Sequence, residues 1–536
     1  MILRLPGSKY LRQVLSRSLV ALQVLAIALA LPVSSALAAP KSGASIVGLN
    51  SATVAPKSVR AVPVPLASIA NRKALVKPFL TAHPSTFLAN KAAAQARVSA
   101  NSAPAAPLPL TGSVTTYGGF PTVTLSSQVA RYGADQNLEP PEPYVAAGTI
   151  YVTQTNNDVM SFWTKTGTVV GGVDLNAFVG VPSGYTASDP RVEYDTASGR
   201  WFISMLAFNA SYSSLTYVGV SQTSDPTGLW WIYALPTTTN IIQDQPKLGI
   251  NDDKVVIAYD EYTTTAWLGT QILIFQKSDL LSGLTANYNY TNLDQSMFSV
   301  VPSQSLSSTT TEYLAFNNAD PTNLVQSQPT PTIGVIAVTG TPLQGNVTLT
   351  ETDVAMPATQ LPPSGRQPGG TVNTDDDRFT NAVWQNGTLW TGGNNGCTPT
   401  GDTTLRSCLR LVQVSTTGIS PTVVQAVDYG FKGYDLYYPA EGLDSSNNVV
   451  VTFSGSSSTL YPSIGAFGAR AGVTISSAIT PVLLGKGLDT YTNTRWGDYF
   501  GAATDPSDPT KIWISGEYSA APSGNWGTGL AKVSVP

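Results

Sequence analysis

Residues 189–202 read DPRVEYDTASGRWF and contain the pattern that decides the fold. An Asp-Pro pair opens a run in which the apolar Val192 and Tyr194 alternate with polar residues such as Glu193. A turn that contains a glycine follows at residues 195–199, and an aromatic segment comes next. Short alternating runs bounded by turn residues are typical of antiparallel β-hairpins.

The same pattern recurs along the body of the chain. Further copies begin at residues 141 (PEPY), 244 (DQPKLGI), 377 (DRFTNAV), 438 (YPAEGL) and 498 (DYFGAAT), and a degenerate copy lies near 301–316. Successive copies stand about fifty to seventy residues apart, which suits four-stranded propeller blades with loop insertions. We therefore predict an all-β fold, a β-propeller of seven four-stranded blades over residues 116–536, with six or eight blades as alternatives.

The end of the chain predicts how this propeller closes. The first and last blades must be joined, because they otherwise expose unpaired strand edges. Residues 530–535 alternate between apolar and other side chains in the manner of a strand. We expect this strand to complete the last blade and to pair with residues 122–125, so that one blade is built from both ends of the chain.

The residues before the body predict export. Residues 1–38 begin with basic side chains, continue with an apolar run and end in small residues, which is typical of a signal peptide cleaved after Ala38. An uncleaved anchor helix is the alternative, and no later run is apolar enough to span a bilayer. The protein is therefore predicted to be secreted, into the medium or the periplasm.

A low-complexity leader is predicted between the signal peptide and the body. Residues 39–115 are rich in Ala, Pro and Ser and hold eight basic residues and no acidic one. Such a composition buries too little apolar surface to offset the entropy of ordering the chain, so we expect a disordered leader that the body does not need for folding. Residues 66–98 are also compatible with a loose helix.

The charge of the body excludes one class of partner. Residues 121–536 hold 17 Lys and Arg against 33 Asp and Glu, a net charge of -16. An acidic body argues against nucleic acid, whose phosphates it would repel. It is compatible with a bound cation, with a cationic surface partner, or with solubility alone. We expect a monomer.

The two cysteines and the one histidine limit the chemistry. Cys397 and Cys408 are expected to form a disulfide, because an exported chain enters an oxidising compartment. His83 belongs to the leader. The body therefore lacks the histidine that Ser-His-Asp catalysis, Cys-His catalysis or a His-ligated zinc ion would need.

Four stretches share motifs with a known group of proteins. They are SDPRVEYD with GRW at 188–201, DRFTNAVWQNGTLW at 377–390, YYP with YPS between 437 and 463, and RWGDY with DP and EY between 495 and 518. Together they resemble secreted bacterial β-propeller proteins of the sialidase-like superfamily, over most of residues 136–520. The chain departs from sialidases in lacking an Asp-box turn, Ser-x-Asp-x-Gly-x-Thr-Trp, since its nearest approach at 195–201 has one extra residue before the glycine. The resemblance thus implies a fold and not an activity.

Charged residues near the starts of the repeats are candidates for ligand binding. The innermost strands of a propeller begin near its central channel, so these charges would converge on one rim. They could coordinate a hard cation, clamp an anionic sugar, or supply an acid and a base for glycosidic cleavage. Ion pairs between blades are the alternative without a function. The candidates are Asp189, Arg191, Glu193, Asp244, Lys247, Asp377, Arg378, Glu441, Arg495 and Asp498.

The densest acidic cluster suggests a metal site. Asp375, Asp376 and Asp377 follow Asn373 closely, and carboxylate and amide oxygens are ligands that Ca²⁺ prefers. Three adjacent acids on a strand cannot all face one ion, so this site requires a loop. Calcium is the one cofactor that the sequence suggests.

Two classes of function follow from these observations. The first is a secreted binding protein without catalysis that recognises a glycan or a surface partner. The alternative is a glycoside hydrolase or lyase that uses Asp, Glu, Tyr and Arg residues at the mouth of the channel. Two carboxylates facing each other in a deep channel would favour the enzyme, and a channel closed by side chains would favour binding.

Overall fold

The computed structural model describes residues 41–46, 48–66, 80–82, 84–98, 112–125, 139–320, 330–493 and 495–536. All of them belong to the unit Pro40–Pro536. The predicted signal peptide, its cleavage site and His83 lie outside the described residues. Within those ranges, no helix is long and apolar enough to cross a membrane.

The first described elements precede the body. They are β1 (Ala44–Ser45), β2 (Asn50–Val54), β3 (Pro56–Arg60), helix α1 (Pro84–Ala96) and β4 (Thr115–Thr124).

Consecutive antiparallel hairpins build the body, because short runs of apolar and β-branched residues alternate with Gly, Asn and Asp turns. The elements of its first half are β5 (Tyr144–Ala147), β6 (Tyr151–Asn156), β7 (Val159–Thr164), β8 (Val169–Asp174), α2 (Leu175–Val179), β9 (Tyr185–Asp195), β10 (Arg200–Asn209), β11 (Ser214–Ser221), β12 (Leu229–Ala234), β13 (Ile242–Ile250), β14 (Lys254–Tyr262), β15 (Trp267–Gln276), α3 (Lys277–Ser282) and β16 (Ala286–Tyr290).

The second half continues in the same way. Its elements are β17 (Val301–Pro302), β18 (Gln304–Ser305), β19 (Glu312–Asn318), β20 (Thr332–Thr339), β21 (Thr348–Ala355), β22 (Gly365–Gln367), β23 (Gly370–Val372), β24 (Phe379–Gln385), β25 (Thr388–Cys397), β26 (Arg406–Ser415), β27 (Thr422–Tyr429), β28 (Tyr434–Leu443), β29 (Val449–Ser457), β30 (Leu460–Ala469), β31 (Val482–Gly485), β32 (Gly501–Thr504), β33 (Ile512–Ala520) and β34 (Asn525–Ser534).

The strands are arranged as a β-propeller. Strands β5, β9, β13, β17, β24, β28 and β32, each the first of its group of hairpins, contact one another in that order, and β32 returns to β5. These inner strands therefore form a closed ring around a central channel. The later strands of each group lie progressively further from it, as in propeller blades.

The predicted seven separate blades are corrected by the sheet topology. In the described part of the chain, five blades are separate sheets: β5–β8, β9–β12 with β3, β17 and β19–β21 with β1, β28–β31, and β32–β34 with β4. Strands β13–β16 and β24–β27 instead belong to one ten-stranded sheet together with β2 and β18. The reason is that the short β18 pairs in parallel with both β13 and β24 and so joins them.

The core lies between neighbouring sheets. Trp201 and Trp230 of the second blade are fully buried against Met160 and Phe162 of the first. Phe178 of α2 meets Trp230 edge to face, with ring centroids 5.7 Å apart. Truncation of an aromatic side chain in such a core costs about 3–5 kcal/mol, so these contacts account for the aromatic residues without any ligand.

The predicted closure of one blade from both ends of the chain is confirmed, although the pairing strand is the longer β4 (Thr115–Thr124) and not the expected residues 122–125 alone. Strand β34 at the C-terminus pairs with β33 on one side and with β4 on the other. Leu530 lies opposite Phe120, and Gly527 lies opposite Thr124. One blade therefore contains both ends of the body, and the ring has no open edge at this point.

The predicted disordered leader is wrong for the described residues 44–46 and 48–60. Strand β1 pairs with β21, β2 with β16 and β3 with β12, so each adds an outer strand to a sheet of the body. The physical reason is that the outer strand of a blade offers unpaired N–H and C=O groups, which a polar segment can satisfy without a core of its own. The rest of the predicted leader is described only in part.

The predicted disulfide is confirmed. Cys397 ends β25 and Cys408 lies in the antiparallel neighbour β26, with their Cα atoms 5.8 Å apart. The bridge ties the arms of a long hairpin, as the sequence suggests. At its tip, the buried guanidinium of Arg406 pairs with the carboxylate of Asp402 at 2.8 Å.

Candidate functional site

One residue in or just before each inner strand adopts a left-handed backbone conformation, with φ between 47° and 62°. This conformation is costly for residues other than glycine and persists only where the surroundings fix it. In three blades the strand register shifts beside it, which redirects the neighbouring side chains. The residues are Glu142, Asp189, Gln245, Ser299, Asp375, Tyr438 and Asp498.

Several of these side chains meet at one end of the channel. The Gln245 side chain donates to Asp498 Oδ2 at 3.3 Å across the ring, and its backbone N–H donates to Asp189 Oδ2 at 3.0 Å. Arg495 forms a buried ion pair with Asp498. Burial lowers the pKa of Arg495, but nearby carboxylates outweigh it and hold the pKa above its ordinary value. We call Glu142, Asp189, Asp375, Arg495 and Asp498 the axial cluster.

Arg191 and Glu193 lie beside the axial cluster among aromatic rings. The Arg191 guanidinium is 4.1 Å from the ring centroid of Tyr499 and 5.2 Å from that of Tyr144, within the range of cation–π attraction. The Tyr144 hydroxyl donates to Glu193 Oε1 at 3.5 Å, and the Tyr499 hydroxyl donates to Glu142 Oε2 at 3.1 Å. Burial raises the pKa of Glu193 to about 8, although Arg191 opposes this.

Lys247 lies in β13, the inner strand next to β9, close enough to Arg191 for their charges to interact. Its Nζ lies 4.0 Å from Asp260 Oδ2, and both side chains are fully buried. Burial lowers the pKa of Lys247 to about 8, and the charges of Arg191 and Arg378 act in the same direction. The carboxylates of Asp260 and Asp244 oppose them. The predicted candidates of the second and third blades are therefore brought together.

The predicted calcium site is not assembled. Asp376 pairs with Arg378 at 2.6 Å, whereas Asp377 Oδ2 accepts from Thr359 Oγ1 at 2.5 Å and from Asn317 Nδ2 at 3.0 Å. The adjacent carboxylates thus have different partners. Among the described residues, no group of three or more acidic, His or Cys side chains could hold a metal ion.

The Glu441 carboxylate packs against Gly392 of the neighbouring blade. The contact is so close that a Cβ atom on residue 392 would collide with this carboxylate. Burial raises the pKa of Glu441 to about 8, opposed only by its own backbone N–H. The folded state therefore holds a proton that the unfolded chain releases at its ordinary pKa of about 4.5.

We expect Glu441 to make the protein less stable as pH rises from about 4.5 to about 8, because the unfolded state ionises first. Thermal unfolding of Glu441→Gln should show a higher midpoint than the parent at pH 8 and an equal midpoint at pH 4. The exposed Asp508, changed to Asn, is the control, and its variant should not reproduce this crossing. A constant difference between parent and Glu441→Gln at both pH values would contradict the assignment.

Residues 80–82 and 84–98 cover the charged end of the channel. The Leu80 carbonyl accepts from Arg378 Nη2 at 2.9 Å. From α1, Lys91 Nζ donates to Thr374 Oγ1 at 2.8 Å and to the carbonyl of Asp375 at 2.5 Å. Of the rim residues predicted from the sequence, Asp189, Arg191, Arg495 and Asp498 lie close together but buried, and Asp189 is only 1% exposed.

The opposite end of the channel contains a cavity of about 250 Å³. It is lined by the ends of strands and by the turns that follow them in six groups of hairpins, and none of its described lining residues is charged. Sequence reasoning missed these residues, because Gln, Asn, Ser and Thr after a strand also indicate an ordinary turn. The polar lining residues are Tyr194, Thr196, Gln304, Ser307, Gln385, Asn386, Ser445 and Thr504.

No protein-family model matches the chain, and no curated protein matches it. Similar solved structures include a protein of unknown function from Dyadobacter fermentans, with 10% identity, a TM-score of 0.33, and coverage of 66% of this chain and 96% of that one. A Hadza microbial sialidase shows 12% identity and a TM-score of 0.35, with 72% and 74% covered. An α-L-arabinofuranosidase from Fusarium graminearum shows 11% identity and a TM-score of 0.34, with 74% and 94% covered. With identities of 10–12% and TM-scores of 0.33–0.35, these structural similarities do not assign a function to the protein.

Proposed function

We propose that the protein is a secreted β-propeller that binds a glycan at the uncharged end of its channel. The observation that supports this proposal is the cavity lined by amide and hydroxyl side chains, together with the ring of Tyr194 and the apolar Leu306. Sugars present hydroxyl groups above apolar ring faces, which such a lining complements. The volume of about 250 Å³ suits one terminal sugar residue better than a long chain segment.

Binding without catalysis accounts for the acidic residues near this cavity. Glycosidic cleavage requires two carboxyl groups on either side of the bond. Asp195 and Asp252 border the cavity region, but Asp195 pairs with Lys277 at 2.8 Å and Asp252 accepts from Ser308 at 2.6 Å. Both carboxylates therefore have structural partners. We further propose that the ten-stranded sheet counts as two blades, which gives seven in all, and that the protein acts as a monomer.

The proposal predicts that a bulky side chain at the cavity abolishes glycan binding. Thr196 is exposed and lines the cavity, so Thr196→Trp should fill it without disturbing the core. A glycan retained by the wild-type protein on an array should bind Thr196→Trp at least tenfold more weakly in calorimetry. Ser458→Trp, at an exposed hairpin tip, is the matched control and should bind normally. Equal binding by both variants would exclude this cavity.

A glycoside hydrolase or lyase is the second proposal, and Glu193 is the observation that favours it. Its pKa of about 8 keeps the carboxyl group protonated near neutrality, as a general acid requires. The group is buried, however, so substrate would have to displace neighbouring side chains to reach it. Release of reducing ends from the retained glycan by wild type, and its loss in Glu193→Gln, would favour the enzyme over the binding protein.

A further inference from the structure

Lys91 places an ammonium group among carboxylates that belong to the body. Its Nζ donates to Thr374 Oγ1 and to the carbonyl of Asp375. The carboxylates of Asp375, Asp376 and Asp377 act on this ammonium, in that order of strength. A primary ammonium group carries three N–H donors, so hydroxyl, carbonyl and carboxylate oxygens together form a suitable receptor.

The floor beneath Lys91 contains polar atoms that the described residues leave unsatisfied. Asp375 Oδ1 and the hydroxyl of Tyr438 are buried and lack a hydrogen-bond partner among the described residues. Tyr438 is 1% exposed, and the charges of Asp375 and Asp498 act on its hydroxyl. Buried polar groups without partners are rare in folded proteins and indicate an unfilled site or a strained one. Asp375 contacts the Lys91 ammonium through its carbonyl, and the charge of Asp375 acts on the Tyr438 hydroxyl.

Helix α1 is held to the body mainly by polar contacts. Its buried residues are Phe87 and Ala94 only. Beyond Lys91, its contacts include the donation from the Ser364 backbone to Gln95 at 3.1 Å and from Arg97, just after the helix, to Gln360 at 2.6 Å. Thirteen residues that bury so little apolar surface contribute little to the stability of the propeller. Release of α1 should therefore leave the blades folded.

We propose that this end of the channel is a binding site for a primary ammonium group, that Lys91 fills it from within the chain, and that a ligand carrying such a group binds by displacing α1. The site consists of Thr374, Asp375 and Tyr438, with the carboxylate of Asp376 close enough to act on the ammonium group. The ligand class is an alkylammonium, as a lysine side chain or an amino sugar presents it. This inference does not depend on the glycan proposal, which concerns the opposite end of the channel.

The test uses butylammonium as the probe and 1-butanol as its uncharged match. Calorimetry on the full chain should show that Lys91→Ala binds butylammonium at least tenfold more tightly than wild type does, and at least tenfold more tightly than it binds butanol. In the Lys91→Ala variant, a further change of Asp375→Asn should make the affinities for butylammonium and butanol equal. Asparagine tolerates the left-handed backbone conformation at this position. Lys57→Ala, which removes an exposed leader lysine away from the site, should behave as wild type. Equal binding of butanol and butylammonium by folded Lys91→Ala would overturn the proposal.

A second measurement needs no variant. Hydrogen exchange of the α1 amides in wild type should accelerate with butylammonium and not with butanol, while exchange in β13 stays constant. Unchanged α1 exchange at saturating butylammonium would overturn the displacement. Nα-acetyl-lysine amide and D-glucosamine then distinguish a peptide ligand from an amino sugar. The compound that accelerates α1 exchange at the lower concentration identifies which of the two carries the ammonium group. Glycan binding at the other end is measured separately and can fail independently.

Discussion

A chain that ends at residue 528 is expected to aggregate instead of folding. Strand β34 lies between β33 and β4, so the deletion of residues 529–536 removes two ladders of backbone hydrogen bonds from one blade. It also removes Leu530, Ala531 and Val533, whose side chains are buried against neighbouring sheets. The loss exposes two strand edges and the apolar faces that packed on them, which favours association with other chains.

Size-exclusion chromatography and thermal unfolding of the purified protein would measure this effect. We expect no monomer peak and no cooperative transition for the truncated chain. Deletion of Pro536 alone is the control, since this residue lies beyond β34 and contributes only its carbonyl to the exposed Arg470. A truncated chain that is monomeric and as heat-stable as the full protein would show that the blade does not depend on β34.

The inner strands and the closure could be predicted from sequence because their signals are local. Each inner strand combines an alternating run with a turn, and several begin with a residue followed by proline, such as Asp189-Pro190 and Tyr438-Pro439. The same positions adopt the left-handed conformation that directs polar side chains to the axis. Asp189, Arg495 and Asp498 could therefore be identified as neighbours before their contacts were known.

The sequence does not show what covers that site. Helix α1 is rich in alanine and has no acidic residue in its first turn, so nothing in its own pattern indicates a partner. The role of Lys91 depends on Thr374 and Asp375, more than 280 positions later in the chain. Such a pairing is a product of the fold. The sheet that joins β13–β16 to β24–β27 was missed for a similar reason, since the connecting strand β18 has two residues and no strand pattern of its own.

Replacement of residues 44–60 by a Gly/Ser segment of equal length is expected to lower the unfolding temperature by about ten degrees or more, although their composition alone predicts no effect. Strands β1, β2 and β3 complete three different sheets, so their loss exposes three outer strands at once. Val54, within the replaced segment, is buried in the core of one blade. The replacement also adds conformational freedom to the unfolded chain, because glycine orders at a greater entropic cost.

Three proteins separate the contributions of this region. A chain that begins at residue 111 lacks both the outer strands and α1, whereas the Gly/Ser replacement lacks only the strands. Because α1 buries little, we expect both to unfold at nearly the same temperature, well below that of the full protein. Lys57→Ala alters an exposed side chain of β3 and should change the free energy of unfolding by less than about 0.5 kcal/mol. A chain from residue 111 that is as heat-stable as the full protein would contradict this prediction. It would show that β1, β2 and β3 pair with the body without stabilising it, and that the body folds without its leader.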